Sequence, residues 1–236
     1  MKSAFILAAG LGTRLKPVTD NIPKCLVPIG GKPLLSIWLD WLEKHGITSV
    51  LINSHYLHEK MVDFVQNYEG SIKINLAYEE TLLGSAGTLK KNKGFVKDED
   101  DFLIVYADNL TNVDIDALWK GHCRIGQLAT LGLFKSLKPE SCGIALLDEQ
   151  GIIEQFEEKP QIPKSNLAFA GVAVATPKFL DAIPDKTPCD LAKDVIESLL
   201  GRLAGIEVQG YLRDIGTLES LAQAEKDWVE LEERFI

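Results

Sequence analysis

The chain has no run of roughly 18 consecutive apolar residues, so no segment reads as a membrane span. Met1-Lys2 leads straight into an apolar strand pattern, with none of the ordered regions of a secretory leader; a cytoplasmic location is expected. Histidines are few (His45, His55, His58 and His122), and the four cysteines, Cys25, Cys123, Cys142 and Cys189, lie far apart with no C-x-x-C pair. That spacing excludes a zinc knuckle and fits free thiols in a reducing compartment. His55 and His58 are three apart, but no Cys or carboxylate pattern completes a metal set around them. Positive charge is in deficit: 25 Lys and Arg stand against 34 Asp and Glu, a net charge of −9, which argues against a protein that coats nucleic acid. Two phosphate-binding loops are missing as well. No Gly-Lys-Ser/Thr tripeptide follows the first strand, so there is no Walker loop. No third glycine follows Gly10 and Gly12, and the second strand pattern, Ser49 to Ile52, runs into Asn53-Ser54-His55 rather than an acid, so the dinucleotide fingerprint is absent. The chain shows no internal repeat, low-complexity tract or long linker.

What is present is concentrated near the start. Ala4 to Ala8 is apolar and long enough for a buried strand. It breaks at Gly10 and Gly12, where the backbone can bend and approach a ligand closely. Successive peptide N–H groups in such a bend form an anion-binding concavity. Arg14 adds a planar fork and Lys24 a compact point charge, so the stretch reads as a site for a polyphosphate in an otherwise acidic protein.

The rest of the first half alternates strand and helix. Leu34, Leu35, Trp38, Trp41 and Leu42 recur at helical spacing after Pro33 and stop at Gly46. Val50 to Ile52, Ile72 to Tyr78 and Phe102 to Tyr106 read as strands, with helices marked by Met61, Val62, Val65 and Tyr68 and spanning Ile115 to Arg124. Between Tyr78 and Leu89 lies a loop of small residues opening a short helix, whose first N–H groups are candidates to meet a ligand. The second half has strands at 128–134 and 168–175 and a hairpin, 143–147 with 152–156, turning at Asp148-Glu149-Gln150-Gly151. Helices are expected at 178–182 and 191–203, a strand at 207–212, and a final helix capped by Thr217 with Leu218, Leu221, Ala222, Ala224 and Trp228 on its inner face. The pattern predicts one α/β domain: a Rossmann-like, mixed but mostly parallel sheet flanked by helices. The last helix is open either to closing its own core or to packing on a second subunit.

Leu7 to Thr19, followed by Pro23-Lys24, resembles the signature of the sugar-1-phosphate nucleotidyltransferases, L-A-x-G-x-G-T-R-L-x-P-x-T and then P-K. Four later segments resemble that family in the same order. Leu83-Gly84-Ser85-Ala86-Gly87 is similar to its base-binding segment. Asp108, at the end of a buried strand, stands where the family has the Asp of a G-D motif, with Ala107 in place of the Gly. Phe156-Glu157-Glu158-Lys159-Pro160 is similar to F-x-E-K-P, and Asp214-Ile215-Gly216-Thr217 to D-I-G-T.

The resemblance implies a transfer of a nucleotidyl group from a nucleoside triphosphate to a sugar 1-phosphate, with Mg2+ as cofactor. It assigns Leu7, Ala8, Ala9, Gly10, Gly12, Thr13, Arg14, Lys24, Gly84 and Gly87 to the nucleotide. It assigns Gly143, Glu158, Lys159 and Gly171 to the sugar phosphate, and Asp108 and Asp214 to the metal. Arg14, Lys24, Asp108 and Lys159 are the catalytic set. The nucleotide half is expected at about 1–125 and the sugar-phosphate half at about 126–236, with no room for the C-terminal β-helix of longer relatives. Ala170 replaces an Asn common in the family, which removes one amide contact to the sugar. The segment at Gly84 is most similar to guanylyltransferases acting on mannose or heptose 1-phosphate; thymidylyl- and uridylyltransferases are the alternative, and a regulatory subunit of the same fold is the non-enzymatic one.

Overall fold

The computed structural model describes residues 2–235, with side chains through Glu232. In chain order the elements are β1 (Ser3–Leu7), β2 (Pro28–Ile29), β3 (Lys32–Pro33), α1 (Leu34–Lys44), β4 (Ser49–Ser54), α2 (His58–Gln66), β5 (Lys73–Tyr78) and α3 (Ser85–Lys91). There follow β6 (Phe102–Tyr106), β7 (Asn109–Thr111), α4 (Ile115–Ile125), β8 (Ala129–Lys135), β9 (Gly143–Leu147), β10 (Ile153–Glu158), β11 (Leu167–Ala175), α5 (Pro177–Asp181), β12 (Leu203–Glu207), β13 (Leu212–Asp214) and α6 (Leu218–Phe235). This is the α/β class read from the sequence. The chain forms two compact units: Met1–Leu82 with Tyr106–Val113 and Gly210–Ile236, and Leu83–Val105 with Asp114–Gln209.

In the first unit β1, β4 and β5 run parallel, with Ser3 opposite Ser49 and Ser49 opposite Lys73. Helices α1 and α2 make the two crossovers that a parallel arrangement requires. Every residue of β4 is buried, which is why its middle, Val50 to Ile52, reads as an unbroken apolar run and not as an alternating one. Helix α1 buries Leu34, Leu35, Ile37, Trp38, Leu39, Trp41 and Leu42. Pro33, expected inside the helix, stands just before it and belongs to β3. The α6 stripe closes the unit's own core through Ala224, Trp228 and Leu231, whereas Leu218 and Ala222, expected inward, are exposed.

In the second unit β11 is the organising strand. It pairs antiparallel with β8 along one side; on the other its start pairs β9 and its end pairs β6. The change of neighbour coincides with a register shift between Phe169 and Ala173, where Gly171 takes a positive φ of 71°. A bulge of this kind bends the strand and suits a residue without a Cβ. Strand β12 lies parallel to β8.

Two expectations fail here. The helix expected over 191–203 is a π-type turn, Leu191–Ile196, and a 3₁₀ turn, Glu197–Leu199, and the chain then becomes β12. Gly201, with φ 76°, ends the helical geometry. Gly205 lets β12 pack close, since a Cβ there would stand 2.5 Å from Leu133 Cδ1 and 2.8 Å from Leu147 Cδ2. The strand expected at 207–212 falls mostly in the connection between β12 and β13, where Gly210 adopts φ 127°.

Candidate active site

The first unit gathers the residues expected from the sequence to meet phosphate and metal near the carboxyl ends of its strands, the edge where open α/β sheets bind ligands. After β6 the chain turns through Ala107, whose N–H donates to the Leu7 carbonyl at 3.1 Å, and places Asp108 beside the end of β1. It then enters β7, which pairs antiparallel with β13 so that Asn109 faces Asp214. The Ile215 N–H donates to the Asp108 carbonyl at 2.8 Å. Two carboxylates far apart in sequence are thus neighbours on a two-stranded ribbon. The ribbon is anchored from α1: the indole N–H groups of Trp38 and Trp41 donate to the carbonyls of Asn109 and Val113, at 2.8 and 3.1 Å. Both tryptophans are core residues whose polar edge finds a partner.

Lys24 sits on a 3₁₀ turn, Lys24–Leu26, held between buried Pro23 and Val27. Its Nζ lies 2.7 Å from Asp108 Oδ2, and its side chain is only 11 % exposed. Asp214 is reached by water at its outer edge, yet enough protein crowds its carboxyl that desolvation pushes its pKa up. Lys24 pulls it back, Asp108 pushes it further up, and Arg14 and the Gly216 N–H pull it down. Gly216 is the reason this fits: a Cβ there would run into Asp214 Oδ1 and stand 2.8 Å from Arg14 Nη2. Arg14 and Asp214 therefore share the space that a side chain at 216 would fill.

The glycine loop is built from its supports. Gly12 is left-handed, with φ 63° and ψ 22°. A Cβ on it would come within 2.9 Å of Thr19 Cγ2, and Thr19 Oγ1 donates to the Gly12 carbonyl at 2.7 Å. The Ala8 N–H is taken by Asn53 Oδ1 at 2.7 Å, and Asn53 Nδ2 donates to Glu79 Oε1 at 2.8 Å. Leu7 and Ala8 thus use their backbone groups inside the protein and frame the loop. Among the described residues, the N–H groups of Ala9, Gly10, Leu11 and Gly12 donate to no protein acceptor, with Gly10 and Leu11 exposed and Ala9 buried, which makes the loop a candidate anion cradle. Asn53, Glu79, Thr19 and Gly216 escaped the sequence reading as site residues. The available signal was Asn53 at the carboxyl end of a buried strand.

The second unit carries the remaining assigned residues. The start of α3 is occupied from within: the Cys189 carbonyl accepts from Ala86 and Gly87 at 3.0 and 3.1 Å, and the Cys189 N–H donates to the Leu83 carbonyl at 2.8 Å. The expectation that these helix N–H groups are open to a ligand is corrected at Ala86 and Gly87. Gly84, with φ 78°, has the Cys189 backbone where a Cβ would be. Gly143 makes room for its hairpin partners, since a Cβ on it would stand 2.6 Å from Phe156 Cζ and 2.8 Å from Glu158 Oε2. Lys159 has a left-handed backbone, φ 54°, unusual for a lysine, fixed by its N–H donating to the Cys142 carbonyl at 2.9 Å. Its side chain is 63 % exposed, with Nζ 3.8 Å from Glu158 Oε1, so an anion from solvent can reach it.

Sequence comparison fixes what this arrangement belongs to. The pattern of the family described as nucleotidyl transferase matches residues 3–230. The chain belongs to the nucleotidyl transferase family. Relatives that it matches are named as mannose-1-phosphate guanylyltransferases and as a glucose-1-phosphate uridylyltransferase. Mannose-1-phosphate guanylyltransferase catalytic subunit beta of Xenopus tropicalis is 28% identical over 99% of this chain and 69% of its own length. The Danio rerio protein of the same name is 32% identical over 90% and 61%. UTP–glucose-1-phosphate uridylyltransferase of Synechocystis is 32% identical over 84% and 55%. The chain thus spans between about half and two thirds of the length of these relatives. Among solved structures, a glucose-1-phosphate thymidylyltransferase candidate from Bacillus anthracis, crystallised with sucrose, superposes with a TM-score of 0.83 at 26% identity, covering 96% of this chain and 94% of that one. HddC from Yersinia pseudotuberculosis matches in fold, with a TM-score of 0.83 at 21% identity over 97% of this chain and 100% of that one.

The resemblance read from the sequence implies a metal here, and the donor chemistry fits a hard cation with few protein ligands. Among the described residues no cluster of three or more His, Cys, Asp or Glu offers a protein-only cage. Two adjacent carboxylates, one with its pKa raised partly by the other, suit an ion that takes its remaining oxygens from phosphate and water, as Mg2+ does.

Proposed function

We propose that the chain makes a nucleoside-diphosphate sugar and pyrophosphate from a nucleoside triphosphate and a sugar 1-phosphate. Guanylyl transfer to mannose or heptose 1-phosphate is the first choice. The observation that carries this reading is the buried Lys24 side chain, its Nζ 2.7 Å from Asp108 Oδ2, beside a glycine loop whose N–H groups have no protein acceptor among the described residues. The relatives named for mannose 1-phosphate favour guanine, and the uridylyltransferase relative keeps uridylyl or thymidylyl transfer to glucose 1-phosphate as the second reading.

The attacking group is a phosphate oxygen that is already an anion, so no general base is needed. Catalysis is alignment and neutralisation of charge around the α-phosphorus. In this reading the N–H groups of Ala9 to Gly12, with Thr13, cradle the triphosphate. Arg14 clamps its β- and γ-phosphates, and Lys24 follows charge on the α-phosphate as pyrophosphate leaves. Asp108 and Asp214 would hold Mg2+, which when bound polarises phosphoryl oxygens as a Lewis acid. Gly84 and Gly87 shape the base-binding segment. Glu158 accepts from sugar hydroxyls in the space that Gly143 leaves, Gly171 gives the strand its bulge, and Lys159 pairs with the sugar phosphate. In this reading the nucleotide half is about 1–125 and the sugar-phosphate half about 126–236.

Among the described residues no helix is long and apolar enough to cross a membrane, and the four cysteines are unpaired, which supports a reducing, cytoplasmic setting. Self-association remains part of the proposal, through whatever surface α6 leaves exposed. The test is pyrophosphate release across a panel of triphosphates and sugar 1-phosphates. Release with GTP and mannose or heptose 1-phosphate supports the first choice, and release with UTP or dTTP and glucose 1-phosphate the second. No release with any pair would assign the chain to the non-catalytic, regulatory reading.

A further inference from the structure

We infer that Lys24 decides in which form the metal enters this site: in the nucleotide-free protein it occupies the cation's place on Asp108, so a bare divalent ion is turned away and a metal–triphosphate complex is taken. This rests on the proposed nucleotidyl-transfer reading and adds a binding order to it.

The argument begins with burial. The Lys24 side chain is held on a short turn among buried neighbours and is 11 % exposed, so leaving Asp108 for a partner in water means moving out of that packing. A buried ammonium without an anion is costly, because desolvation is no longer offset. Among the described residues its hydrogen bond goes to Asp108 Oδ2 at 2.7 Å, and the other carboxylate whose charge it meets is Asp214. A metal that claimed Asp108 would strand Lys24 unless a phosphate oxygen arrived at the same time.

Charge balance points the same way. Asp108 and Asp214 are matched by Lys24 and by Arg14, whose Nη2 comes within 2.8 Å of the point where a Gly216 Cβ would stand, as Asp214 Oδ1 also does. The formal charges of these four side chains therefore sum to zero. A bare divalent cation would leave two positive charges unanswered in a crowded, partly desolvated spot. A metal–triphosphate complex is a net anion and offers Lys24 and Arg14 new partners as it takes the carboxylates. Metal and triphosphate affinity are then coupled through one lysine, and linkage makes that coupling reciprocal.

Manganese titration followed by the paramagnetic resonance of the free ion tests this without turnover, since Mn2+ shares the oxygen-ligand preference of Mg2+. Nucleotide-free wild type should bind Mn2+ weakly, and Lys24→Met should bind it at least tenfold more tightly. Lys24→Met combined with Asp108→Asn should lose that gain, because the effect passes through Asp108. Adding an α,β-methylene triphosphate analogue should make wild type retain Mn2+ through gel filtration, which the analogue without protein does not. A folded Lys24→Met protein that binds bare Mn2+ no better than wild type, while wild type retains Mn2+ with the analogue, overturns the inference and leaves the proposed function standing. A wild type that retains no Mn2+ even with the analogue overturns the metal reading itself. Should Lys24→Met not fold, thermal midpoints of the wild type serve: Mn2+ alone should not raise the midpoint and Mn2+ with the analogue should. A rise with Mn2+ alone overturns the inference.

Discussion

At the scale of single residues, charge is placed before any ligand arrives. If Lys24 follows charge on the α-phosphate, Lys24→Ala lowers turnover by about 10²–10³, the usual cost of one lost transition-state donor. Steady-state kinetics on a variant with an unchanged circular dichroism spectrum measure it, and normal turnover would remove the role. Asp214 gives a second prediction, with its sign set by proton linkage. Its carboxyl holds a proton to higher pH in the folded chain than in the unfolded one, first because it is desolvated. The folded state thus binds more protons in the window from the ordinary carboxylate range up to the raised value, and stability falls as pH rises through it. Above that window the whole penalty is present. Asp214→Asn removes it, so the metal-free variant should melt higher than wild type at neutral pH, with the difference disappearing at about pH 3, where both states are protonated. Equal midpoints at neutral pH would show that the surrounding cations already cancel the penalty. Lys24, Arg14 and the two aspartates were legible in the sequence because their motifs are local. Thr19, Asn53, Glu79 and Gly216 were hidden because their roles are contacts: a hydroxyl on a carbonyl seven residues away, an amide between two strands, a missing Cβ.

At the scale of elements, regular pieces were legible where a hydrophobic period or a turn was strong. Strand β6 lies where the sequence put it, and so does the β9–β10 hairpin to within two residues at its end. The region from Leu191 to Leu212 was misread because β12 is a short parallel strand next to glycines, and its partner β8 lies far away in sequence. The segment at Gly84 shows how a motif's apparent meaning changes with its packing. Both glycines were assigned to the base-binding segment, yet a Cβ on Gly84 would collide with the Cys189 backbone, whereas one on Gly87 would stand 3.2 Å from Leu83 Cβ. Gly84→Ala combines a collision with backbone and a positive φ, so it should destabilise the protein by more than about 2 kcal/mol in urea unfolding. Gly87→Ala lies inside α3, where alanine is favoured by up to about 1 kcal/mol, so its stability should stay within roughly that margin. Weaker triphosphate binding with intact stability is therefore informative only at Gly87. If Gly84→Ala unfolds at the same urea concentration as wild type, the packing account of that glycine is wrong.

At the scale of the whole molecule, the question is why a ribbon of two three-residue strands is kept at all. So short a pair is marginal by itself. Here it is held by Trp38 and Trp41 from α1 and by a network in which Tyr211 donates to Asp227 at 2.6 Å and the Arg213 Nε lies 3.1 Å from the same carboxylate on α6. That support fixes Asp108 and Asp214 side by side at the end of a chain path that runs through most of the sequence, so the two should act as one unit. If they share one ion, activity disappears with chelator and returns with Mg2+ or Mn2+. Asp108→Asn and Asp214→Asn each nearly abolish turnover, and the double variant is scarcely worse than either, because the first substitution already removes what the second could lose. Independent contributions would instead multiply, making the double variant's loss the product of the two single losses. The comparison of kcat/KM across the four proteins separates these outcomes. Additive free energies in the cycle would mean that the carboxylates hold different partners, one of them Lys24 alone, and the shared-metal reading would have to be given up.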